Sequence, residues 1–212
     1  MSQKIFVLIA TALLATLVSI PASADQITLG ASNPGTTIDF AAGGGGINIT
    51  GTNLAGSGLL QIGASSTVLT YVFSIVGTPH LNPIGSGNFS MPFVPGNQLN
   101  TTFTIGSSTL TGWWAFSVIK DNTSIPQFDG PGIFHVTAES GTAFSAFSVG
   151  GDYLADFTLS GVNPTLDAIL DTGGETSGAL SSGEIQIPEP ATMVLLGSGL
   201  LGLATGFRRK MK

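Results

Sequence analysis

Hydrophobic and polar positions alternate with a period of two through most of the chain between Asp25 and Gly183. In "VLTYVFSIV", Leu69, Tyr71, Phe73 and Ile75 share one face. In "QLNTTFTIG", Leu99, Phe103 and Ile105 share a face, with Asn100, Thr102 and Thr104 opposite. "GWWAFSVI" sets Trp114, Phe116 and Val118 on one side, and "IFHVTA" does so for Phe134 and Val136. "YLADFTLSG" divides into Tyr153, Phe157 and Leu159 against Asp156, Thr158 and Ser160. Successive side chains of a strand point to opposite faces, so this period predicts strands with one buried side. "QITL", "INIT", "LLQIG", "AFSAFSVG" and "GEIQI" are shorter candidates.

Turn residues separate these runs: Asn33-Pro34-Gly35, Asn82-Pro83, Pro95-Gly96-Asn97, Asp121-Asn122, Asp129-Gly130-Pro131-Gly132 and Gly150-Gly151-Asp152. Short strands of β-branched and aromatic residues, broken every ~8–12 positions, predict an all-β fold, an antiparallel, jelly-roll-like β-sandwich or a barrel. Asn163-Pro164-Thr165-Leu166 admits two readings. As a helix, Asn163 caps, Pro164 takes the first turn, Leu166, Ile169 and Leu170 share a face, and Gly173 ends it. As a strand it simply continues the pattern. Gly43–Gly46 reads as a loop; without a following Lys-Ser/Thr pair it is no phosphate-binding loop. Gly173–Gly183, rich in Gly and Ser, reads as a loop before a last strand at Ile185–Ile187 or as a linker. The domain is set at 25–183, with a linker over 184–190.

The two ends break the alternation. Lys4 is followed by an uncharged apolar run from Ile5 to Ile20, then Pro21 and the small-residue site Ala22-Ser23-Ala24. This is the pattern of a signal peptide over 1–24, cut by signal peptidase behind Ala24 to leave Asp25 first. At the other end Ala191–Phe207 carries no charge. As a helix at ~1.5 Å per residue it is ~25 Å long, enough for a short transmembrane span. Pro188 and Pro190 bar its extension backwards. Arg208, Arg209, Lys210 and Lys212 behind it fix the orientation, tail inside and domain outside. Residues 191–212 therefore read as a transmembrane helix with a basic tail.

Charge sharpens this division. The whole chain carries −6, but its basic residues sit at the ends. Between them Lys120 alone faces eleven or twelve acids, depending on the side taken by Glu189, a net charge of −10 or −11. Such a surface repels phosphate backbones, which argues against nucleic acid as a partner. The absence of cysteine excludes disulfides, zinc-thiolate sites and thiol nucleophiles, leaving core burial to hold the exported domain.

The C-terminal segment resembles the PEP-CTERM sorting signal of Gram-negative bacteria. Pro188, Glu189 and Pro190 match its tripeptide, Ala191–Phe207 its short Gly/Leu-rich span, and Arg208, Arg209 and Lys210 its basic tail. The resemblance implies recognition and trimming near the tripeptide by an exosortase, a transient stay in the inner membrane, and delivery to the cell surface or extracellular matrix of an exopolysaccharide-producing host. It covers only about the last 25 residues and is silent on the domain.

Catalytic patterns are sparse. Gly197-x-Gly199-x-x-Gly202 copies a dinucleotide fingerprint, but prolines precede it where a strand is needed, and the chain ends before the required acid. Neither H-E-x-x-H nor G-x-S-x-G occurs. His80 and His135 are expected to be solvated or hydrogen-bonded. Asp152 and Asp156 share a strand face at ~13 Å, wider than a glycosidase pair. No cofactor is expected, with calcium at loop acids such as Asp121-Asn122 and Asp129 as the one possibility. Trp113 and Trp114 are candidate glycan contacts; adjacent strand residues face opposite sides, so one is core and the other is exposed or covered by a second sheet, and core packing of both is the favoured reading. The expectation is a non-enzymatic surface or matrix protein, with a carbohydrate-binding module as the alternative and a secreted hydrolase behind it.

Overall fold

The structure, a computed structural model, describes residues 25–85, 87–121 and 126–187. The expected signal peptide, the Pro-Glu-Pro tripeptide and the expected transmembrane helix with its basic tail lie outside the described residues. Among the described residues no helix is long and apolar enough to cross a membrane.

The all-β, antiparallel expectation is met by twelve strands: β1 (Asp25–Ser32), β2 (Ile38–Gly43), β3 (Gly46–Thr52), β4 (Ala55–Ile62), β5 (Ser65–Val76), β6 (His80–Gly85), β7 (Asn88–Met91), β8 (Gln98–Ile105), β9 (Ser108–Asp121), β10 (Pro126–Ser140), β11 (Asp152–Ser160) and β12 (Glu175–Ile187). They form one continuous sheet rather than two unconnected ones. Its ladder closes on itself twice. One circuit runs β1-β4-β5-β8-β9-β10-β11-β12 and returns to β1. The other leaves β12 through β2, β3, β6 and β7 and re-enters at β9. Long strands make this possible: β12 pairs with β2 over Glu175–Gly178 and with β1 over Gly183–Ile187. Closure of this kind removes exposed strand edges.

The inner faces meet in one core. Tyr71, Phe73, Phe103, Trp114, Phe116, Phe134 and Phe157 are all at most 2% exposed. Phe73 stacks on Trp114 at 6.0 Å, and Phe157 meets Trp114 edge-on at 5.0 Å. The two polar aromatics are satisfied: the Trp114 indole donates to Thr101 Oγ1 at 2.7 Å, and the Tyr71 hydroxyl donates to the Gly30 carbonyl at 2.7 Å. Burial pushes the Tyr71 phenol up to about 12. Two glycines make room for these rings. A Cβ at Gly56 would collide with the Tyr71 hydroxyl, and one at Gly112 with the Phe134 ring.

Residues 164–172, open between helix and strand, contain a helix of about two turns, α1 (Leu166–Thr172). Thr165, not Asn163, caps it by accepting from the Ala168 N–H, and the Gly173 N–H closes it on the Ile169 carbonyl at 2.9 Å. Leu166 and Ile169 turn inward, while Leu170 is only partly buried.

Several local expectations are corrected. The last strand offered at Ile185–Ile187 is present but longer than expected: the Gly/Ser-rich stretch from Glu175 onward and the first residues assigned to the linker, 184–187, belong to β12, because Leu180, Ile185 and Ile187 find the core. "AFSAFSVG" is a run of turns; Phe144 and Phe147 are both buried and three apart, a spacing that a turn can fold inward and a strand cannot. Asp129–Gly132 and Asn82-Pro83 lie within β10 and β6, where the register shifts instead of turning. On β9, Ile119 is buried in place of Val118. The alternation slips there because β9 ends its pairing with β8 at Trp114 and takes up β7 through Phe116 and Ile119.

Candidate functional site

The outer surface is most differentiated along one transverse row. Asn100 of β8 is paired with Trp113 of β9, Trp113 with His135 of β10, and His135 with Asp152 of β11. Their chain neighbours Leu99, Trp114, Phe134 and Tyr153 are buried, so alternation directs all four to the outside. Trp113 stacks on His135 with centroids 4.7 Å apart and planes 20° apart. His135 Nδ1 lies 2.5 Å from Asp152 Oδ1.

A loop covers Trp113 within the row. Between β7 and β8, Phe93 lays its ring on Trp113 at 4.1 Å and 23°. Pro92 and Pro95 flank it, Val94 and Asn97 bridge, and Gly96 takes φ 79 at the turn. Asn97 Oδ1 accepts from the Thr78 N–H at 2.9 Å, tying this loop to the one between β5 and β6. Trp113 is left 8% exposed and Phe93 43% exposed. Beside Trp113 on β8, Asn100 Oδ1 is buried with no hydrogen-bond partner. The strands continue past the row with hydroxyl pairs: Thr102 with Thr111 at 3.1 Å, and Thr109 with Ser140 at 2.8 Å.

The tryptophan pair divides as strand geometry requires. Trp114 is 2% exposed within the core, and Trp113 stands outside it beneath Phe93. Neither indole offers a bare face, and the accessible ring at this place is Phe93. The sequence gives no sign of this, since no periodicity relates a loop residue to a strand residue twenty positions on. The His135–Asp152 contact follows only from the register of β10 on β11.

The other candidates have structural partners. His80 Nδ1 lies 2.7 Å from Asn48 Oδ1, joining β6 to β3. Asp152 and Asp156 share the outer face of β11, as expected. Asp121 Oδ2 accepts from the Asp167 N–H at 2.6 Å at the start of α1. Burial raises its pKa; backbone bonds from Asp167 and Leu166 act against this, and the Asp167 charge adds to it. Of the remaining suggested calcium ligands, Asn122 and the Asp129 side chain lie outside the described residues. Among the described residues no three His, Asp or Glu gather as metal ligands. A shallow depression of about 260 Å³ between β1, β4 and β5 is lined by Thr28, Gly30, Ser57, Gly58, Leu59 and Val68, with no charged group.

Residues 186–210 match the PEP-CTERM protein-sorting motif, and the likeness is confined to that C-terminal segment. No curated protein and no solved structure matches the chain. The motif marks a protein sorted by an exosortase, with export and membrane-associated sorting.

Proposed function

We propose that the protein is a structural or interaction component of the cell surface or extracellular matrix, freed of both its ends during export and acting by contact rather than by turnover. The single observation that most supports this is the pairing of Asp25 with Ile187 on β1 and β12. Asp25 is the residue expected to follow signal-peptide removal, and Ile187 immediately precedes the Pro-Glu-Pro tripeptide of the sorting motif. Both cuts then fall side by side at one pole of a closed sheet, where they remove appendages without opening any strand pair. The transient inner-membrane anchor belongs to the same reading.

The test is the intact mass of the protein isolated from the envelope and medium of its own host, with sequencing of both terminal peptides. The expected species begins at Asp25 and ends near Pro188–Pro190. A species retaining Lys212 would overturn exosortase processing and the matrix role with it. Carbohydrate binding is the second reading, favoured by the exposed Phe93 ring stacked on Trp113.

A further inference from the structure

We infer that the outer row of β8–β11, capped by Phe93, is a binding site for an uncharged polysaccharide, with the Phe93 ring as its platform and Asp152, oriented by His135, as its hydrogen-bonding flank. The inference rests on the surface and matrix reading above and supplies its partner.

Four observations converge. The first is preorganisation. An exposed phenylalanine in a loop normally loses side-chain freedom on binding, but here the ring is already held against Trp113 at 4.1 Å between two prolines. What it offers outward is a fixed apolar plane, the shape that meets the C–H face of a pyranose. The second is the polar flank. Asp152 is 60% exposed, with Oδ1 engaged by His135 Nδ1. Its other oxygen remains to accept from a sugar hydroxyl, and a charged acceptor makes the stronger bond. The third is the ground on which a chain would lie. From Phe40 to Ile119 the sequence contains no Asp, Glu, Lys or Arg, and the outward residues of β8 and β9 beside the row are Thr102, Thr104, Thr109 and Thr111. A polyol can cover this face without stripping water from an ion. The fourth is selection by charge. A domain with Lys120 as its one cation and ten acids or more repels polyanions, so the ligand is a neutral glycan.

The experiment is native affinity electrophoresis of the protein isolated from its host, in gels containing dextran, galactomannan, hydroxyethyl cellulose or, as the anionic control, alginate. Retardation is expected in at least one neutral gel and not in alginate. Phe93→Ala weakens it about tenfold or more, Asp152→Ala less, and Phe93→Tyr, which keeps the ring, retains it. Leu59→Ala, outward on β4 with β5 between it and β8, leaves it unchanged. Thermal midpoints of all variants confirm folding. No retardation in any neutral gel overturns the inference, as does equal retardation of a folded Phe93→Ala variant. If Phe93→Ala instead converts a sedimenting dimer to monomer without any glycan effect, the occupant is a second copy and the inference falls. A correctly trimmed protein that fails in the gels sinks the glycan site alone; a glycan-binding protein that retains Lys212 sinks exosortase trimming and the matrix role but leaves the glycan site standing.

Discussion

Residues 40–119 and residues 120–187 are built by the same rule inside and by opposite rules outside. The first stretch has no Asp, Glu, Lys or Arg; the second carries Lys120 and every acid of the described domain except Asp25 and Asp39. Yet Tyr71, Phe73, Phe103 and Trp114 from the first pack with Phe134 and Phe157 from the second in one core. The inner pattern needs only alternation, and it is indifferent to what occupies the other face. The outer pattern is thereby free to diverge. Threonine, serine and valine suit strands through their branching or small polar groups and leave one side neutral. The acids collected in the second stretch supply the domain's net negative charge.

Three changes probe that contrast. The most disruptive is Trp114→Ala. If the charge-free and acidic stretches were separate units, only the former would melt. Because Trp114 touches Phe73 on one side and Phe134 and Phe157 on the other, both are expected to lose about 3–5 kcal/mol in a single transition, read by denaturant titration with near-ultraviolet and far-ultraviolet signals superimposed. Two separated transitions would break the picture of a common core.

Next comes Tyr71→Phe, which breaks the bond from the neutral stretch to Gly30 of β1. At neutral pH it costs about 1 kcal/mol, since the Gly30 carbonyl loses its buried donor. The phenol's folded pKa is raised, from 10.0 to about 12. Its contribution is therefore complete below 10.0 and drains away as the pH climbs towards 12. Melting curves across that window should fall more steeply for the native protein than for the phenylalanine variant. Parallel curves would mean the phenol is not buried as described.

The smallest effect belongs to the acidic stretch. Asp121→Asn keeps an oxygen to accept from the Asp167 N–H and removes a charge that burial and Asp167 disfavour. A raised carboxyl pKa means that Asp121 favours the fold when protonated and less so once ionised. The variant should gain up to about 0.5 kcal/mol at pH 7, and the gain should vanish on acidification through the carboxylate range. A loss at pH 7 would show that the charge itself holds α1.

Much of the interior was legible. The inward faces of β5, β8 and β11 follow alternation residue by residue, from Leu69, Tyr71 and Phe73 to Tyr153, Phe157 and Leu159, because each strand keeps one set of neighbours. Where a strand changes partners the pattern fails: Val118 gives way to Ile119 as β9 passes from β8 to β7. Gly and Ser misled in β12, since composition reports intrinsic flexibility while pairing with β1, β2 and β11 decides the outcome. Of the candidate site, Trp113 and the outward place of Asp152 were visible. The role of Phe93 was not, for it depends on a loop folding over a strand.

The two closed circuits share β9, β10, β11 and β12, and β12 comes last along the chain. Neither circuit can be completed until it arrives. A polypeptide broken off before Glu175 would keep unpaired rims on β1, β2 and β11, and it would also lack residues 186–210. Structural integrity and address are thus written in consecutive residues, so a truncated product forfeits both at once. Only a chain translated through to its final strand can close both circuits, and only such a chain carries residues 186–210.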